Sequence, residues 1–442
     1  MPAASRTAEV AVAAPGEAAA APAAAVGTPA AWRVLSAVLW PVAIATYLHT
    51  VSVALPVVDG VDFQIIYGGA SDFLQGRPVY DDVAYLFFPG GLLLSSPMAV
   101  IDPESSHTVY VLLGALCAPV AAAVALRMMG RSWRSPLGAG VLFGLAISES
   151  VTVTLVLGNV NTWLAALQVS ALFLLMRRRD TAAGLMLGLA ITLKPVVAPL
   201  LLVPLLARRW GMAAVAAAVT AAVTAVSFLL VAERDQFLSI TMPTLTSTRD
   251  GANSSLTAAA TFLEAPSGVA LLTRAVVVML VVLVLVWSRA IPDEPVRLAT
   301  QAGALMLGTF LAAPLSEMYW SVLLLPLILT VCRPASPMHT WPAWLAVYLF
   351  ATLDIWAAPQ WSPAVAEYYI QLRPTAGWAL LLAVLVAWTW RQHRHAGADR
   401  YQAAAPALGA VNHPTAAWLR RQLPDSGSSR SGSPMTARCI LE

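Results

Sequence analysis

The sequence predicts an all-α polytopic membrane protein, and three observations predict it. Hydrophobic residues make up 59% of the 442 and charged residues only 11%, far below the quarter charged that is usual in soluble domains. The mean hydropathy is +0.72. Between Trp32 and Trp390 the chain supplies about ten runs that read as membrane helices, each close to the roughly 17–25 apolar residues that a crossing requires.

From the N-terminus, residues 1–31 are rich in Ala and Pro and read as a disordered leader. The first apolar run, Val34 to Leu55, is long enough to remain as a helix, so no cleavable signal is expected. Residues 32–391 form one membrane domain and residues 392–442 read as a disordered cytoplasmic tail. The terminal "CILE" resembles a prenylation box only superficially, because its last residue is acidic and no basic cluster precedes it. Cys117, Cys332 and Cys439 are scattered, and neither a disulfide framework nor a metal cluster is readable.

Basic clusters mark cytoplasmic ends. Here they are Arg127/Arg131/Arg134, Arg177 to Arg179, Arg208/Arg209, Arg289/Arg297, Arg333 and Arg391/Arg394. Placing all of them inside puts both termini in the cytoplasm and forces two unusual segments. The run "LFFPGGLLLSSPMAVI" (86–101) is short and broken by Pro and Gly, so it is expected to be juxtamembrane or re-entrant, the kind of irregular backbone that lines a cavity. Residues 181–207 lie between two arginine clusters and are expected to form a helical hairpin broken at Lys194-Pro195. Lys194 is the only lysine in the chain. A GC-rich genome explains the rarity of lysine and snorkelling would explain an outer-edge position, but an intramembrane cation is by default a functional group.

This topology gathers residues 56–91, 233–268 and 358–374 on the outer side. A buried cation beneath a carboxylate-bearing loop suits a lipid-linked phosphorylated substrate: the ammonium neutralises phosphate, and a positioned carboxylate takes the proton of a hydroxyl acceptor. A nucleotide sugar does not fit, since no Gly-rich phosphate loop joins a strand to a helix. Asp59 and Asp62 in "DGVD" open the first outer loop, and Asp72, Asp81 and Asp82 are weaker candidates that could be solvated or capping residues. No internal inverted repeat is visible, which argues against a carrier.

The early "DF" with a following Tyr, "FFPGGLLLSSPMAVI", "GNVNTWL", "LAITLKPVVAPLLLVPLLARRW" and "STRDGANSSL" resemble the polyprenyl-phosphate-sugar-dependent glycosyltransferases of the GT-C superfamily, and within them glycosyltransferase family 87. The resemblance covers roughly residues 34–391 and implies the GT-C fold with about 10–12 transmembrane helices. The later segments "TRDGANSSL", "WPAWLAVYLFATLDIW" and "GWALLLAV" look like those of members that add α-1,3 arabinofuranosyl branches to cell-wall arabinan.

That likeness implies decaprenyl-phosphate arabinofuranose as donor and an arabinan chain of arabinogalactan or lipoarabinomannan as acceptor. Transfer would be inverting, on the outer face of the plasma membrane, with membrane lipids around it, no nucleic acid and no cofactor; a divalent ion on Asp59 and Asp62 is left open. It also implies roles. Asp62 matches the early aspartate that serves as base, and Lys194 the Leu-Lys-Pro lysine that meets the donor phosphate. Asn159 and Asn161 match a polar pair in which relatives often carry Gln and Asn, and Arg249, Asp250 and Asn253 match the "TRD..NSS" stretch. By themselves, Arg249-Asp250 reads as an exposed pair and Asn253 as a turn residue. In "LAAPLSEMYWSVLLLPL" this chain has Glu317, Tyr319 and Trp320 where mannosyltransferase relatives tend to carry a Trp and His cluster. Trp320 reads equally as an interface anchor, whereas Glu317, just inside an apolar stretch, needs a partner. Two alternatives stand beside this reading: a polyprenyl-phosphate-mannose mannosyltransferase, and a lipid-linked sugar flippase that uses Lys194 without needing Asp62.

Overall fold

The computed structural model describes residues 30–249, 251, 253–352 and 360–409, and every regular element among them is helical. The elements in order are α1 (Ala30–Ala54), α2 (Val61–Leu74), α3 (Pro89–Ser95), α4 (Pro103–Met128), α5 (Pro136–Ala146), α6 (Glu149–Leu157), α7 (Asn161–Met176) and α8 (Asp180–Leu193). A 3₁₀ stretch, Pro195–Leu201, leads into α9 (Leu202–Leu206) and α10 (Trp210–Leu230). A π-helical turn, Phe237–Thr241, precedes α11 (Met242–Thr246), α12 (Leu256–Phe262), α13 (Ser267–Trp287) and α14 (Glu294–Ala312). The chain then runs through a 3₁₀ helix (Met318–Leu324), α15 (Leu325–Ile328), a second 3₁₀ turn (Leu329–Cys332), α16 (Trp341–Ala351) and α17 (Pro363–Gly409).

Five helical stretches are long and apolar enough to cross a membrane alone: Arg33–Ala54, Pro103–Met128, Trp210–Leu230, Ser267–Ala290 and Tyr369–Gly397. The pair α5 and α6, bent by 55°, makes a sixth. The protein is therefore a multi-pass all-α membrane protein. The remaining apolar helices are only 10–17 residues long, so the ten to twelve expected spans resolve into long crossings and shorter, broken pieces.

Segment 181–207 is one of the broken pieces, and it folds back on itself. Along α8, Gly184 lies against Met212 and Val215 of α10, and Gly188 lies against Ala216 and Val219. Numbers rise together on both helices, so α8 and α10 run parallel. Nε of Arg209 donates to Oδ2 of Asp180 at 3.0 Å, tying the start of α8 to the start of α10. The return arm 195–206 has fewer residues than α8, yet a 3₁₀ rise of about 2.0 Å per residue gives both arms about 21 Å. Proline supplies the break, because Pro195 donates no amide hydrogen to α8.

Segment 86–101 does not cross either. A Cβ on Gly91 would lie 2.8 Å from the carbonyl oxygen of Leu193, and Ser227 of α10 hydrogen-bonds the Pro89 carbonyl. α3 is thus stacked on the open end of α8, beside the last turns of the longer α10. Beyond the return arm, Met318–Cys332 returns beside α14, where Gly303 meets Leu327. Its two 3₁₀ stretches extend it to about 28 Å, the length of the nineteen-residue α14. The ion pair Arg333–Asp293, Nε to Oδ2 at 2.8 Å, closes the arginine-rich end.

One boundary differs from expectation. The tail was expected from residue 392, but α17 continues to Gly409, since "RQHRHAGADRYQAAA" consists largely of good helix formers. The rest of the expected leader and tail lies outside the described residues.

The hairpin makes a labelling prediction. In a variant lacking the natural cysteines, Arg178→Cys and Arg208→Cys should both react with an impermeant thiol reagent from one side of the membrane, and Val196→Cys should be shielded from that side. Reaction of positions 178 and 208 from opposite sides would exclude the hairpin.

Candidate functional site

The broken helices converge at the end of the molecule opposite the arginine clusters, and two glycines let them meet. Gly158, at the C-terminus of α6, has φ +67°, a left-handed conformation that glycine adopts without penalty. A Cβ there would lie 2.5 Å from Cβ of Phe63. Gly60, before α2, faces the carbonyl oxygen of Val156 in the same way, at 2.7 Å from its would-be Cβ. α2 therefore starts hard against the end of α6, and this places Asp62 beside Asn159.

Nδ2 of Asn159 donates to Oδ2 of Asp62 at 2.8 Å, and the Tyr319 hydroxyl donates to the same oxygen at 3.1 Å. Nζ of Lys194 donates to Oδ1 of Asn159 at 3.4 Å. Carboxylate and ammonium fix which way the amide faces, since only the amino end can donate to Asp62 and only the carbonyl end can accept from Lys194. Lys194 is held in extended backbone, φ −150° and ψ 106°, between α8 and the 3₁₀ arm. Its ammonium sits 4.9 Å from the ring centre of Trp320 and 5.9 Å from that of Tyr319, a cation–π arrangement that a desolvated site strengthens.

Nη2 of Arg249 donates to Oε1 of Glu317 at 2.7 Å. Glu317 sits in the loop between α14 and the 3₁₀ helix. Burial pushes its carboxyl above the usual carboxylate range; Lys194 and Arg249 pull it down and Asp62 adds to the rise. Asp62, Asn159, Lys194, Arg249, Glu317 and Tyr319 all line one cavity of about 260 Å³. Phe87, Phe88, Leu245 and Leu315 supply apolar wall. A second groove, about 320 Å³, runs between α5, α6 and α16 and is larger, but no charged side chain lines it. The chemistry belongs to the smaller cavity.

Three expected site residues stand elsewhere. Asn161 is fully buried as the first residue of α7 and does not line the cavity: it enters the core two positions after Asn159, which precedes the helix. Asn253 also stays out of the cavity, because its amide is fully engaged. Nδ2 donates to the carbonyl oxygens of Arg249 and Pro314 at 3.1 and 2.8 Å, and Oδ1 accepts from the amides of Ser255 and Ser316 at 3.1 and 3.0 Å. It clips the 249–255 loop to the 314–316 loop, and so sets Arg249 against Glu317. Asp250 lies outside the described residues. Of the weaker acidic candidates, Asp72 pairs with Arg77 on the surface and Asp82 accepts from the Ala84 amide at 2.8 Å. Neither they nor Asp59 or Asp81 lines the cavity.

Sequence reasoning undervalued Trp320. It is only 6% exposed and is the closer of the two rings on Lys194, so it is no interface anchor. Adjacency to Glu317 and Tyr319 was the available signal. Among the described residues no group of three His, Cys, Asp or Glu side chains comes together, so Asp62 has an amide, a phenol and an ammonium for company.

The arrangement defines a class: a multi-pass membrane protein with a carboxylate, a shielded cation and an apolar-walled cavity at the end of a helical hairpin. The chain belongs to glycosyltransferase family 87, whose family model matches residues 85–314, and it is a membrane glycosyltransferase. It is 32% identical over 389 residues to the alpha-(1->3)-arabinofuranosyltransferase of Mycobacterium tuberculosis, covering 84% of this chain and 89% of that protein. The protein of the same name from Mycolicibacterium smegmatis is 32% identical over 371 residues, 81% and 86% of the two chains. That from Corynebacterium glutamicum is 31% identical over 363 residues, 79% and 86%.

Gly158→Ala tests how Asp62 and Asn159 are brought together. Forcing alanine to positive φ and against Phe63 should destabilise the protein by more than about 1 kcal/mol and lower transfer activity. Thermal unfolding of the purified variant in detergent measures the first and product formation the second; a variant with wild-type values for both would show that this close approach is dispensable.

Proposed function

We propose that the protein transfers arabinofuranose from decaprenyl-phosphate arabinofuranose to a hydroxyl of an arabinan chain, forming an α-1,3 branch, at the outer face of the plasma membrane. The observation that carries the reading is the Asn159 amide, with a carboxylate on one end and an ammonium on the other. A single displacement needs those two charges near one anomeric carbon, the base on the acceptor side and the cation on the leaving-group side.

In the step, the acceptor oxygen forms a bond to the anomeric carbon while the bond from that carbon to the phosphate oxygen breaks. The acceptor proton passes to Asp62, and the configuration inverts. Asp62 has Oδ2 occupied by Asn159 and Tyr319, which orients Oδ1 for the incoming hydroxyl. Lys194 meets the charge that develops on the departing polyprenyl phosphate, in a cavity whose apolar walls strengthen the interaction. Arg249, about half exposed at the cavity rim, is a second contact for the phosphate or the sugar.

The relatives' shared name supports arabinofuranose and the α-1,3 linkage, and the arginine clusters at the end away from the cavity support an outward-facing site. The mannosyltransferase alternative is disfavoured by Glu317, Tyr319 and Trp320 standing where a Trp and His cluster was the mannosyl signal. Family membership disfavours the flippase. Purified protein offered decaprenyl-phosphate arabinofuranose or polyprenyl-phosphate mannose, with an arabinan oligosaccharide or a mannoside as acceptor, tests the reading. An arabinosyl product on arabinan is expected; mannosyl transfer alone, or lipid movement with no glycoside formed, would refute it.

Two substitutions separate the roles. Asp62→Asn keeps the shape and both hydrogen bonds to Oδ2 in altered form but removes the base, and should lower turnover by about two to four decades with donor binding nearly intact. Lys194→Gln removes the charge and should weaken donor binding by about one to two decades, the equivalent of a charge-assisted hydrogen bond. Lys194→Arg should restore only part, because a planar fork replaces a point charge. Wild-type turnover in the first variant, or unchanged donor affinity in the second, removes the corresponding assignment.

A further inference from the structure

Behind the cavity lies an ion pair that the transfer step does not use. Arg373 of α17 and Glu149, the first residue of α6, are 4% and 5% exposed. Nη2 of Arg373 donates to Oε2 of Glu149 at 2.7 Å. Nη1 donates to the carbonyl oxygen and the hydroxyl of Thr352, at 3.2 and 3.1 Å. Nη2 also contacts Sδ of Met318 at 3.7 Å.

Charges buried within a membrane domain are expensive to desolvate, and apolar residues of equal volume often serve stability as well or better. Location gives this pair a different value. Glu149 begins α6 directly after the 55° break, Thr352 caps the C-terminus of α16, and Met318 stands between Glu317 and Tyr319. One guanidinium therefore joins α6, α16 and α17 to the back of the cavity wall. With three residues per turn, neighbouring side chains of a 3₁₀ helix diverge by about 120°, so Met318 meets Arg373 while Tyr319 reaches forward to Asp62. Further along α17, Nε1 of Trp378 donates to Oγ of Ser321 at 2.8 Å. Segment 317–321 is thus held from behind by α17 at two points and from the front by Arg249 on Glu317.

We propose that the Glu149–Arg373 pair is a positioning device for glycosyl transfer, fixing residues 317–320 so that the Tyr319 hydroxyl stays on Oδ2 of Asp62. The proposal rests on the reading of Asp62 as the base. Neither Glu149 nor Arg373 lines the cavity, so loss of the pair should disturb the orientation of Asp62 rather than the binding of substrates.

The test is a double-mutant cycle between the pair and Tyr319. Glu149→Gln with Arg373→Gln removes both charges together, so that neither residue of the pair is left facing the other as an uncompensated charge. Its kcat should fall by about tenfold or more while KM for donor and acceptor stays within about threefold. In a Tyr319→Phe background the same pair of changes should lower kcat by less than about twofold more, because the device acts through the hydroxyl. Arg373→Lys, which retains the charge and loses the fork to Thr352, should recover part of the activity. Losses that multiply in the combined variant overturn the proposal, as does a raised KM at unchanged kcat. Thermal unfolding checks that each variant is folded; if the neutral pair is not, Arg373→Lys and Tyr319→Phe complete the cycle. A cryo-EM structure of the neutral-pair or Arg373→Lys variant should show 317–320 displaced and the Tyr319–Asp62 bond lost. An unmoved segment overturns the proposal even if the protein proves to transfer a different sugar, whereas the wild type failing with every polyprenyl-phosphate sugar counts against the function and leaves this geometric result standing.

Discussion

The site depends on one amide. A carboxylate and an ammonium in a cavity of low polarity attract each other strongly, and left to themselves Asp62 and Lys194 would close into an ion pair in which neither is available to a substrate. Asn159 stands between them and gives each a neutral partner: its amino group goes to Asp62 at 2.8 Å and its carbonyl to Lys194 at 3.4 Å. The charges remain near each other, solvated by protein rather than cancelled. Tyr319 adds a second donor to Asp62, and the faces of Tyr319 and Trp320 add diffuse negative charge around the ammonium. Such groups are already oriented before substrate arrives, and fixed dipoles of this kind need no reorganisation as charge develops.

Holding that amide in place requires helices that stop inside the membrane domain. An uninterrupted crossing would bury its backbone groups in its own hydrogen bonds and carry its side chains past the cavity. α6 stops at Gly158, α8 stops at Lys194, and Met318 starts a 3₁₀ helix, so three ends rather than three sides surround the site. The 3₁₀ arms make this possible by covering distance with few residues. Two of the ends are then secured by longer neighbours: α10 runs beside α8, and α14 and α17 flank the segment that starts at Met318. Asn253, with four hydrogen bonds to backbone, secures the loop that carries Arg249.

The sequence by itself determined the class of fold, because hydropathy and helix length answer to the bilayer and are read locally. The arginine clusters, together with Pro195, were enough to require that 181–207 turn back, and the short Pro-Gly run 86–101 announced that it would not cross. Asp62, Lys194 and Glu317 were conspicuous because charge in an apolar surrounding demands a reason. The end of α17 was misjudged, since an alanine-rich helix and an alanine-rich disordered tail look alike in composition.

Which of the polar residues belong together was decided only by the tertiary structure. Asn159 and Asn161 are two residues apart and equally polar, yet the left-handed turn at Gly158 puts the first between Asp62 and Lys194 and α7 carries the second into the core. Asn253 lies in the motif most like a binding loop and turned out to be its clip, while Trp320, a plausible membrane anchor, closes over the lysine. Side-chain contacts between residues 62, 159, 194 and 319 span from 35 to 257 positions of sequence, and no local rule reaches that far: the packing of the helix ends sets them.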